Sequence, residues 1–247
     1  MPVILTYLIQ ILLIVHVLKT GRNRIWIWVL IMLPGLGGLA YVLVEVLPEL
    51  TGGIRGQRAM RTMKKALDPG AELRDAEAAW EQSPNADNAR RLAAALIEAE
   101  QYPRAHEVLD QALSGFFSTE PSLLLLKART LFEEGRPDDA VATLETLTSE
   151  NPDFRSAEGH LLQARSLEAS GRLKEAIEEY RAVSHYFPGA EARLRLARAL
   201  EADGQVAEAR DELERMLNDA RLAPAHFRKA QKPWLDEARA SLTRLQN

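Results

Sequence analysis

The 247-residue chain has no cysteine. That excludes disulfides, thiolate catalysis and cysteine-ligated zinc, and it leaves the compartment open. None of its five histidines completes a catalytic signature. The stretch HEVLD at 106–110 lacks the second histidine of a zinc-protease helix. His160 and His185 each stand alone, in contexts that suit structural or solvated side chains. The acidic residues are spread along helical faces rather than gathered at one spacing. No catalytic centre, metal site or cofactor is therefore expected.

Formal charge is missing from two stretches. Residues 3–18 carry none, with Thr6, Gln10 and His16 as the clear polar breaks, and residues 25–44 carry none over 20 positions. A helix of ~20 residues covers the ~30 Å hydrocarbon core of a bilayer. The expectation is a two-helix transmembrane hairpin in residues 1–48, with spans at about 3–18 and 25–47. A cleaved signal peptide is disfavoured, because no basic leader and no A-x-A-like site accompany the first run. Trp26, Trp28 and Tyr41 lie near the ends of the second run, where amphipathic rings favour the headgroup layer.

Acidic charge is scarce at the same end. Residues 1–65 hold eight Lys/Arg against Glu45 and Glu49, a net +6, which leaves −10 for the remainder. Residues 54–67 contain Arg55, Arg58, Arg61, Lys64 and Lys65 and no acid. Residues 49–67 thus read as a basic juxtamembrane segment drawn to anionic lipid headgroups. Five basic residues follow the second run and three lie in KTGRNR at 19–24, which leans towards a cytoplasmic body without excluding a periplasmic one. The reading is a multi-pass protein of a bacterial inner membrane. A body at −10 disfavours nucleic acid.

Residues 35–40, GLGGLA, match the glycine fingerprint of a dinucleotide-binding turn. That fingerprint requires a strand before it, a helix after it and an acid about 20 positions on. Glu45 comes too soon and no second strand follows, so a phosphate site is rejected. Pro34 cannot donate to the carbonyl of Leu30. A hairpin turning at 20–23 sets Gln10 level with Leu33–Pro34 and Thr6 level with Gly37–Gly38. Gln10 is expected to serve the freed backbone, while Gly35, Gly37 and Gly38 let the helices approach closely. The alternative is a kinked span without a specific partner.

The stretch from Trp26 through LPGLGGLAY to Tyr41 resembles the N-terminal membrane hairpin of cardiolipin synthases and related phospholipase D-type proteins, over about residues 3–47. The catalytic H-x-K-x(4)-D signature of that family is absent. The resemblance therefore implies an anchor and no lipid chemistry, or at most an accessory role in phospholipid or envelope synthesis.

Beyond residue 68 the chain repeats. A small residue opens each unit (Ala93, Ala128, Ala164, Ala197), and leucine follows three positions on (Leu96, Leu131, Leu167, Leu200). Seven positions on stands Gly135, Gly171 or Gly204, or Glu100 in the first unit. Alanine lies at twelve (Ala105, Ala140, Ala176, Ala209), and Leu109, Leu144, Tyr180 or Leu213 at sixteen. Successive units are 35, 36 and 33 residues apart. The pattern predicts a helix ended by a left-handed glycine cap, a short turn and a second helix crossing at the alanine. Such pairs cannot bury their apolar faces singly, so they stack.

This pattern resembles the tetratricopeptide repeat over about residues 86–219, most strongly through 135–188. The expected fold is all-α, with the transmembrane hairpin followed by a superhelical solenoid in 68–247. Residues 68–84 read as a preceding half-unit. Trp234, Ala238, Leu242 and Leu245 share one face of a C-terminal capping helix. The resemblance implies a scaffold that binds protein or peptide partners along the inner face of each first helix. The position after each small residue gives Ala94, Arg129, Arg165 and Arg198, with Arg90 and Arg195 nearby. Such arginines suit carboxylates of an acidic or C-terminal peptide. Alternatively each pairs along its own helix, Arg129 with Glu133, Arg165 with Glu168 and Arg198 with Glu201.

Overall fold

The computed structural model describes residues 2–20, 23, 25–33, 35–42, 44, 68, 70–115 and 117–246, with only the backbone for 2–8. Pro34, Arg55, Arg58, Arg61, Lys64, Lys65 and the side chain of Thr6 lie outside the described residues. Among those described, every regular element is helical. The chain divides into two compact units, Met1–Glu72 and Leu73–Asn247.

The first unit holds α1 (Pro2–Thr20), α2 (Ile25–Met32) and α3 (Leu36–Tyr41). The uncharged run at 25–44 is not one helix. The amide of Leu33 still bonds the Val29 carbonyl at 3.1 Å, but residue 34 is proline and has no donor to continue the ladder. Gly35 then takes φ +85°, a left-handed backbone that a side chain disfavours. From there α3 returns along α2. A Cβ on Gly37 would lie 2.5 Å from the Val29 carbonyl oxygen, and the Tyr41 ring meets Trp26 edge-on at 5.4 Å.

This overturns the transmembrane hairpin. At 1.5 Å per residue α2 and α3 are ~12 Å and ~9 Å long, and α1 reaches ~28 Å, each below the ~30 Å of hydrocarbon. Among the described residues no helix is long and apolar enough to cross a membrane. The spans at 3–18 and 25–47 and the multi-pass inner-membrane location are corrected accordingly.

The hairpin-packing residues fall as follows. The Gln10 amide donates to the Leu30 carbonyl, the acceptor left free by the proline. Gly37 packs on α2, and Gly38 faces α1, where an added Cβ would be 3.2 Å from Leu13 Cδ1. Gly35 makes the turn, and a Cβ there would touch nothing.

The second unit is a solenoid. Its first helix, α4 (Ala71–Gln82), begins two residues before the boundary, and four helix pairs follow. These are α5 (Ala86–Glu98) with α6 (Tyr102–Leu113), and α7 (Pro121–Glu133) with α8 (Pro137–Glu150). They continue as α9 (Ala157–Ala169) with α10 (Leu173–Ser184), and α11 (Glu191–Ala202) with α12 (Val206–Leu222). The short α13 (Ala225–Ala230) precedes α14 (Lys232–Gln246), which packs on α12 through Leu235 and Ala238.

Each first helix ends in the same cap. Gly135, Gly171 and Gly204 have φ of 75°, 80° and 83°, and Glu100 adopts 56° in their place. The next amide, from Gln101, Arg136, Arg172 or Gln205, bonds back to the repeat leucine, Leu96, Leu131, Leu167 or Leu200. This closes the Schellman loop. The carbonyl of that same turn residue then accepts the amide of Ala105, Ala140, Ala176 or Ala209. All four alanines are fully buried, which lets paired helices cross closely. The repeat leucines and Tyr180 fill the space between, each leucine contributing about 1.5–3 kcal/mol by burial.

Candidate functional site

Stacking the pairs brings their first helices side by side. Residues of α5, α7, α9 and α11, with Phe154 and Phe187 from the connecting turns, enclose a groove of about 500 Å³. Its apolar floor includes Leu125, Leu126, Leu161 and Leu162. Arg90, Arg129 and Arg165 line it together with Glu133, Glu158 and Glu191. Ala94, Arg129 and Arg165, each directly after a small repeat residue, thus share one cavity.

The arginines differ in what they do there. Arg129 is exposed and makes no ion pair or hydrogen bond with a described residue. The Arg165 guanidinium lies over the Phe132 ring at 4.6 Å, and its buried Nε has no acceptor. Such stacking leaves the outer N–H groups of the fork for a ligand. Arg90 reaches Asp87 at 3.4 Å. Arg195 and Arg198 do not line the groove. Arg195 donates to Glu191 at 2.8 Å and sits 5.8 Å from the Trp234 ring, while Arg198 pairs with Glu237.

The along-helix pairs are not formed. Tyr180 Oη donates to Glu168 at 2.6 Å. Arg244 takes Glu201 at 2.6 Å. Neither Arg129 nor Glu133 has an ion pair among the described residues. Burial, reinforced by Glu168, raises the Tyr180 phenol far above its ordinary range, so it remains a donor.

A second polar cluster escaped sequence reasoning. His160 contacts the Tyr186 hydroxyl through Nδ1 and the Glu179 carboxylate through Nε2. It lines a cavity of about 600 Å³ between α8, α9 and α10. The His160 contact holds the Glu179 carboxyl below the usual carboxylate range, outweighing burial. Burial, with Glu179 nearby, pushes the Tyr186 phenol up. Glu179 and Tyr186 are 19 and 26 positions from His160, so no local spacing announces the cluster. Among the described residues, no group of three or more His, Asp or Glu could hold a metal.

The tetratricopeptide repeat model matches residues 90–154 and 161–234. Among solved structures, MamA (41–end) from Desulfovibrio magneticus RS-1 superposes with a TM-score of 0.55 at 16% identity, over 70% of this chain and 99% of that one. A thermophilic tetratricopeptide repeat protein from Thermus thermophilus gives 0.52 at 16% identity, over 77% and 98%. A single-substitution form of a Podospora anserina putative kinesin light chain with nearly identical repeats gives 0.51 at 24% identity, over 65% and 89%. These likenesses concern the fold alone. No curated protein matches the chain. Neither the family match nor the structural neighbours support the resemblance of residues 3–47 to the cardiolipin synthase hairpin.

Proposed function

Because the chain belongs to the tetratricopeptide repeat family, whose fold typically serves as a non-catalytic interaction scaffold, we propose that residues 68–247 bind a protein segment in the groove. The observation that carries this is the state of Arg129 and Arg165. Two guanidiniums from adjacent repeats face one cavity without an acidic partner. A segment with acidic side chains set among apolar ones matches both. Its carboxylates meet the arginines, and its apolar side chains meet Phe154, Phe187 and the leucine floor. Arg90 extends the basic edge at one end. Glu133 and Glu158 restrict the site to segments whose charges fall in register. The accessory role in lipid or envelope synthesis rested on the anchor resemblance and has no observation to support it.

Selection of random peptides on the full chain tests the reading. Enriched sequences should combine Asp or Glu with Leu or Phe. Arg129→Glu with Arg165→Glu should weaken the best binder about tenfold or more. Binding unchanged by both reversals would remove the groove as the site.

A further inference from the structure

The first unit buries only a small apolar core, Val17, Leu30 and Tyr41, with Leu13, Ile14, Trp26 and Ile27 packed against it. Two polar side chains turn inward beside that core: Gln10 is 8% exposed and donates to the Leu30 carbonyl, and His16 Nδ1 meets Tyr41 Oη at 2.9 Å. Other large apolar side chains turn outward on all three helices. Leu12 of α1 is 61% exposed, Trp28 and Met32 of α2 are 64% and 73%, and Leu36 of α3 is 70%. A protein partner covers one face, whereas apolar exposure on every helix calls for an apolar surrounding. Charge points the same way, since residues 54–67 carry five basic side chains and no acid and anionic headgroups attract such a run.

We propose that this unit embeds in one leaflet of an anionic lipid bilayer without crossing it. The turn at Gly35 sends α3 back along α2, so this part of the chain enters and leaves on the same side. The unit lies with α1 along the bilayer plane, because α1, at ~28 Å, exceeds the ~15 Å of hydrocarbon in a single leaflet. The Gln10 contact allows it, because the Leu30 carbonyl, which residue 34 as a proline cannot serve, would otherwise be left unpaired in an apolar surrounding. A non-crossing wedge of this kind is compatible with the absence of a membrane-crossing helix among the described residues.

The cysteine-free chain permits a direct test. A nitrobenzoxadiazole label on Leu36→Cys of the full chain is mixed with phosphatidylglycerol-containing vesicles. The chain should float with them, more than with pure phosphatidylcholine, and bromine on the acyl chains should quench the label. Dithionite trapped inside the vesicles should leave it intact. Replacing Leu12, Trp28 and Met32 together by Asp should cut flotation about tenfold or more at unchanged helicity. Failure to float, absence of bromine quenching, or a lipid-free dimer of the chain overturns the proposal. Bleaching by the trapped dithionite overturns its one-leaflet form.

Discussion

Tyr180 donates its hydroxyl to the Glu168 carboxylate at 2.6 Å, tying the second helix of the third repeat to its first. That bond also removes Glu168 from Arg165, three positions earlier on the same helix. Tyr180→Phe should cost about 1.5–3 kcal/mol, the range for hydrogen bonds to charged groups, read by urea denaturation. The released Glu168 should then draw on Arg165 and weaken binding of an acidic peptide. Tyr180→Phe combined with Glu168→Gln should restore that affinity while leaving the stability low.

Glu100 occupies the left-handed cap position that glycine fills in the other three repeats. A Cβ at Gly135, Gly171 or Gly204 would meet nothing within 4 Å. The preference for glycine therefore lies in the left-handed backbone itself, not in crowding by packed neighbours. Glu100→Gly should stabilise the solenoid by on the order of 0.5–1 kcal/mol. Gly135→Ala should destabilise it by roughly 1 kcal/mol. Paired denaturation curves of the two variants check both signs.

The Glu179 carboxyl titrates lower in the folded chain than in the unfolded one, because His160 favours its charged form. A lowered folded value means that the stabilisation is complete above the unfolded carboxylate range, about 4.3, and is lost as pH falls through the folded value. His160→Gln should therefore keep a constant stability gap to the parent protein down to about pH 4.3 and narrow it as the solution is acidified further. Urea midpoints across that pH series provide the measurement. A gap that stays constant on that further acidification would disconnect His160 from Glu179.

The helix pairs were legible because their code is local. A left-handed cap seven positions after a small residue, and an alanine five further on, specify where each helix ends and where its partner crosses. Even Glu100, which departs from that code, keeps the backbone its neighbours impose. The run at 25–44 was harder to read. Its lack of charge is equally compatible with one long helix and with two short ones folded together. Pro34 and the glycines marked a break in it, but the close contact of Gly37 with Val29 depends on how the arms pack.

The sequence alone determined an all-α repeat, its register and the arginine positions on the first helices, because each depends on residues within one unit. Tertiary structure decided which arginines remain available. Arg198 finds Glu237 on the capping helix, and Glu168 is claimed by Tyr180 across its own helix pair, while Arg129 keeps no acidic partner among the described residues. Such choices depend on which side chains the stacking brings within a few ångströms, and charges separated along the chain do not encode that distance.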